Sequence, residues 1–130
     1  MTTATSQKPG LRAHEESVRF TPAELVVALR EIVGARLVAY LGHVSSTRPV
    51  GEWAEGSRKP SEETVDRLRT AYFIAALLRE REGAATVQSW FKGMNPELDD
   101  QAPARLLREQ PLNVVGPEVI AAARSFAYVG

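Results

Sequence analysis

From Phe20 onward, apolar residues recur at the three- and four-residue spacing of helices, and glycines and prolines cut that pattern into short segments. The clearest start is Thr21-Pro-Ala-Glu24: Thr21 can cap a helix, Pro22 suits its first turn, Glu24 can close a capping box, and Phe20 and Leu25 stand at staple positions. Leu25, Val26, Leu29, Ile32 and Val33 then define one buried stripe, ended by Gly34 in a left-handed conformation. Ala35 to Leu41 predicts a short second helix with Leu37, Val38 and Leu41 inward, stopped by a tight turn at Gly42. Ser45-Ser-Thr47 supplies caps for a third helix, with Val50 and Trp53 inward and Gly56 at its end. A long fourth helix starts at Ser61-Glu-Glu-Thr and runs through Leu68, Tyr72, Ile74 and Leu78 to Gly83. Ala84 to Lys92 predicts an amphipathic helix, Asn95-Pro-Glu-Leu98 a turn, and Pro103 a helix start for Ala104 to Arg108. The last helix begins near Pro117 and carries Val119, Ile120, Ala123, Phe126 and Ala127 to within three residues of the end. It leaves Tyr128, Val129 and Gly130 as a free terminus.

The pattern predicts an all-α fold in three parts: a mobile polar tail over residues 1–19 with His14 solvated, a helical domain over 20–82, and a second over 83–130. At 130 residues the chain can bury a modest core. It has no cysteine, which excludes a disulfide framework, a thiolate metal site and a cysteine nucleophile. No apolar run nears the ~20 residues that span a bilayer, and no signal-peptide core opens the chain, so a soluble, cytoplasmic protein is expected. With 16 basic and 16 acidic residues, no global field draws nucleic acid, and any contact with DNA has to come from a local patch. Tyr72, Phe73, Ala76 and Leu77 exceed what one core needs and mark a candidate homodimer contact.

Catalysis finds no support in these residues. Ser89-Trp-Phe-Lys92 spells S-x-x-K but lacks every partner motif of the serine acyltransferases. Two histidines, one in the expected tail, give neither a metal cluster nor a Ser-His-Asp set, so no metal and no cofactor is expected. Glu97, Asp99 and Asp100 share a turn, where they cap helix starts. Trp53, Trp90 and His43 are expected to be structural.

A short helix, a tight turn and a second capped helix can lay one helix in the major groove while the other braces it. Facing the groove would be Ser45, Ser46, Thr47, Arg48, Gly51 and Glu52, with Arg58 and Lys59 near the DNA backbone. Arg48 suits a guanine edge or a phosphate, whereas Glu52 and Glu55 oppose phosphate. The segment from Leu37 to Trp53, with Ala54-Glu-Gly-Ser-Arg-Lys-Pro60 after it, resembles the Xre family of helix-turn-helix proteins.

The second half adds a further resemblance. The helix ending Trp90-Phe91, the Asn95-Pro-Glu-Leu98 turn, the Pro103-Ala-Arg-Leu-Leu107 helix and the terminal Val119-to-Phe126 helix together resemble the toxin-binding domain of Xre/MbcA/ParS antitoxins. That resemblance implies an antitoxin of a type II toxin-antitoxin system, which covers the active-site cleft of a RES-domain, NAD-degrading toxin and represses its own operon by binding operator DNA. It would place the last helix, with Arg124, Phe126, Tyr128, Val129 and Gly130, at the toxin's pocket, flanked by Arg105 and Arg108. A plain Xre-type repressor whose second half only dimerises is the alternative. An interaction module without DNA binding is a third.

Overall fold

The computed structural model describes residues 8–128. Eight α-helices run through them: α1 (Leu11–Arg19), α2 (Pro22–Val33), α3 (Ala35–Leu41), α4 (Arg48–Glu55), α5 (Glu62–Arg79), α6 (Ala84–Lys92), α7 (Pro103–Glu109) and α8 (Leu112–Tyr128), with a 3-10 turn at Pro96–Leu98. Among the described residues no strand forms, and Asn95 and Gln101 make a single isolated bridge. The fold is all-α. No described helix is both long enough and apolar enough to cross a membrane.

Local chemistry explains where the helices begin. Thr21 and Glu24 form the full capping box, with the Glu24 N–H donating to Thr21 Oγ1 at 3.2 Å and the Thr21 N–H to Glu24 Oε1 at 2.9 Å. Ser61 Oγ accepts from the Thr64 N–H at 3.1 Å and opens α5. Gly34, at φ 90° and ψ 155°, lets α2 and α3 abut in a backbone conformation that is essentially restricted to glycine.

Helix α5 is the shared support. Its Leu68, Ala71, Ile74, Ala75, Leu77 and Leu78 are fully buried. With Tyr72 and Phe73 buried as well, the buried positions ring the helix between Ala71 and Leu78, so this part of α5 needs neighbours all round. Helices α1, α2 and α8 supply most of that cover. Residues before and after Gly83 belong to one continuous hydrophobic cluster, because α6 packs on α2, α7 on α3 and α8 on α5.

Three features differ from the sequence-based expectation. Residues 11–19, expected as tail, form α1, whose buried face is only Ala13 and Ser17 while Leu11 and Val18 are exposed. Polar bonds hold α1 in place instead: Arg69 Nη1 donates to the Ser17 and Phe20 carbonyls at 2.9 and 2.8 Å, and the Tyr72 hydroxyl donates to Glu16 Oε1 at 2.8 Å. Gly10 N also meets the Glu80 carboxylate at 3.2 Å. Tyr72, Phe73 and Leu77 are therefore buried within the chain and offer no surplus face to a second copy.

The second difference is that α8 opens five residues before Pro117. The Pro111 carbonyl accepts from Val114 and Val115, both at 3.0 Å, and Pro117 leaves only the exposed Asn113 carbonyl without its helical donor. Third, α5 stops at Arg79 rather than at Gly83. In the α3–α4 turn the left-handed residue is His43, at φ 61°, while Gly42 has φ −84°. Gly42 is required for a different reason: a Cβ there would lie 2.8 Å from the Trp53 ring.

Arg69→Met is expected to cost about 1–3 kcal/mol, because it orphans two carbonyls at the end of α1. Arg12→Ala, which breaks only the exposed pair with Glu16, is expected to stay within about 0.5 kcal/mol. Urea unfolding followed by circular dichroism checks both.

A second expectation concerns alkaline pH. Burial, reinforced by Glu16, holds the Tyr72 phenol well above its ordinary value; burial and the Glu80 carboxylate push that of Tyr128 up to about 12. The folded chain thus keeps protons that the unfolded chain gives up near pH 10, so the stability due to these two groups is intact below pH 10 and falls as the pH rises towards 12. The double variant Tyr72→Phe/Tyr128→Phe should show a flatter loss of melting temperature across that interval.

Candidate functional site

Helix α4 presents its first residues outward. Thr47 precedes it without making a side-chain cap, Pro49 lies in its first turn, and Val50 and Trp53 anchor it to the core. Ser45, Ser46, Thr47 and Arg48 are all exposed, as are Arg58 and Lys59 beyond Gly56. Glu52 sits between two cations, 3.6 Å from Arg48 Nε and 3.4 Å from Arg58 Nη1. It draws both guanidinium groups to one side of α4 and cancels part of their charge. Lys59 makes no ion pair among the described residues.

Two cations outside the residues expected at the DNA face join this surface: Arg36, not singled out in the sequence, and Arg108, expected instead at a partner-protein contact. Arg36 at the start of α3 and Arg108 at the end of α7 line one cleft of about 510 Å³ with Ser45, Ser46, Thr47 and Tyr40. Hydroxyl groups and two guanidinium groups around one concavity can hold an oxyanion such as a phosphate. Arg36 was hidden because nothing in its local spacing distinguishes it from a solvated helix residue. Arg108 was legible as a cation but not as a neighbour of Ser45.

Arg108 is also a structural tie. Its Nη1 donates to the Tyr40 carbonyl, its guanidinium lies 4.6 Å from the centre of the Tyr40 ring, and the His43 ring nitrogen Nε2 lies 2.7 Å from the Arg108 carbonyl. That accounts for His43 in the turn and joins α7 to the α3–α4 pair.

The residues expected to meet a partner protein do not converge. Arg105 is exposed and paired with Glu109 at 3.1 Å. Arg124 stacks on Phe73 at 5.7 Å, and Tyr128, expected to be free, donates its hydroxyl to the Glu80 carboxylate beneath Arg81. Phe126 alone forms an outward apolar feature. It is 45 % exposed, tilts against Trp90 at 6.5 Å, and shares a cleft of about 310 Å³ with Met94, which is 80 % exposed. Val129 and Gly130 lie outside the described residues. Met94 could have been noticed in the sequence as a large apolar residue stranded between Gly93 and the Asn95 turn.

Scans against protein-family models, curated proteins and solved structures returned no match.

Arg108→Ala is expected to destabilise the chain by about 1–3 kcal/mol, since it removes a charge-assisted bond and a cation–π contact at a half-buried position. Arg105→Ala should cost under about 1 kcal/mol. Thermal unfolding at matched salt separates the two.

Proposed function

We propose that this chain is the antitoxin of a type II toxin-antitoxin system: an Xre-like helix-turn-helix protein that binds operator DNA through α3 and α4 and restrains a RES-domain toxin through its C-terminal half. The observation that carries the DNA half of this reading is the exposed start of α4 beside the Arg36 and Arg108 cleft. With α3 as the brace and α4 as the groove helix, Arg48 would read a base edge or phosphate, and Arg36, Ser45, Ser46 and Thr47 would take phosphates. The resemblance of Ala84 to Phe126 to antitoxin toxin-binding domains supports the second half, and the exposed pair Met94 and Phe126 offers an apolar anchor there. Arg124 and Tyr128, engaged within the chain, leave Phe126 as the better candidate for that contact.

The near-balanced charge and the masking of Arg48 and Arg58 by Glu52 favour a second reading, an interaction module with little affinity for DNA. Co-expression with the product of the adjacent gene, co-purification and an NAD-consumption assay test the antitoxin reading. A stable complex with suppressed NAD loss is expected; no complex and no suppression would overturn it. Binding to a duplex from the upstream region tests the other half: Arg48→Ala should weaken it by about tenfold, the loss of one contact worth about 1.4 kcal/mol, and leave the complex with the partner intact. Equal duplex binding by Arg48→Ala and the parent would remove α4 from the DNA face.

A further inference from the structure

A further concavity lies apart from the Met94 and Phe126 cleft and borders the candidate DNA face. It is a trough of about 550 Å³ where α2 and α3 meet α6 and α7, and its volume falls within the roughly 300–1,000 Å³ of small-molecule sites. Its floor is apolar, built from Val33, Leu37, Tyr40 and Ala104. Its charged lining is of one sign. Arg36 from α3, Lys92 from α6 and Arg105 from α7 converge on it from three separate helices, and no carboxylate lines it.

Structural duties account for only part of that charge. Lys92 closes α6, where a cation suits the helix dipole, and Arg105 is held by Glu109. Arg36 stands at the start of α3, the end of a helix where a cation is unfavourable, and it has no ion pair among the described residues. That leaves Arg36 and Lys92 as like charges without a counter-ion among the described residues, and a single anionic group between them relieves their repulsion.

We propose that this trough binds a small apolar molecule carrying one negative charge, its hydrocarbon body on Val33, Leu37 and Ala104 and its acidic group between Arg36 and Lys92. The walls come from both halves of the chain, and Arg36 and Tyr40 also line the cleft beside Ser45 to Thr47. A bound ligand therefore touches α3 directly.

Titration of the full chain with 8-anilinonaphthalene-1-sulfonate, followed by displacement, tests the site. One equivalent is expected to bind, and decanoate or indole-3-acetate to displace it; which of the two is stronger tells an alkyl chain from an aromatic body. Decanol and decyltrimethylammonium should compete at least about tenfold less well, as expected if the charge contact is worth about 1.4 kcal/mol. Arg36→Glu/Lys92→Glu should weaken binding by a similar factor or more, and Phe126→Ser should leave it unchanged. Lys92→Gln, a milder change at an exposed position, keeps the test valid if the double variant unfolds. Absence of binding by the sulfonate and both carboxylates, equal competition by the cationic amphiphile, or unchanged affinity in the charge variants would each overturn the proposal.

Discussion

Burial of α5 on every side is the constraint from which the rest of the structure follows. A helix with Leu68, Ala71, Ile74, Ala75, Leu77 and Leu78 all out of water cannot be a surface helix, and it stays in solution only while its neighbours cover it. Helix α2 covers it from the N-terminal half, α8 from the C-terminal half, and α1 closes the face bearing Tyr72 and Phe73. Arg67, itself buried, donates to the Leu41 carbonyl at 3.2 Å and fixes α5 to the end of α3. The candidate DNA face, whose α4 packs on α2 and α3, is thus connected through those two helices to the same α5 that seats the C-terminal elements.

A second layer of coupling is polar. Arg108 on Tyr40, and His43 against the Arg108 carbonyl, tie α7 to the α3–α4 turn at the point where α3 ends. Displacement of α7 would carry with it Arg108, which lines the same cleft as Ser45 to Thr47. That connection gives a physical route by which a change at the C-terminal half could be felt at the candidate DNA face, since both would act on one packed element.

The helices that sequence reading located are those whose signals are local. The Thr21 and Glu24 box, the Ser61 start, the Ala84–Lys92 amphipathic segment and the Pro103 start each depend on residues within a turn of one another. Helix α1 escaped because it buries Ala13 and Ser17 and leaves Leu11 and Val18 outside, so its apolar pattern points away from the core. Its anchors, Arg69, Tyr72 and Glu80, lie more than 45 residues away in sequence. The start of α8 was misplaced because Pro117 reads as a first-turn proline, although the helix tolerates it at its sixth position beside the exposed Asn113 carbonyl. At the candidate site the exposed Ser45 to Arg48 run was legible from the turn chemistry, whereas the gathering of Arg36, Lys92, Arg105 and Arg108 depends on three helices meeting.

If α5 is the common support, the two halves unfold together, and the two tryptophans report on them separately: Trp53 lies in α4 and Trp90 in α6. Both indole N–H groups are buried without an acceptor among the described residues, so exchanging either tryptophan for phenylalanine removes no hydrogen bond. The decisive measurement is urea unfolding of Trp53→Phe and Trp90→Phe, each followed by the fluorescence of the remaining indole and by circular dichroism. Within each variant the two signals should give the same midpoint and slope. An indole transition separated from the loss of helix would contradict a shared core, and with it the coupling of the candidate DNA face to the C-terminal half.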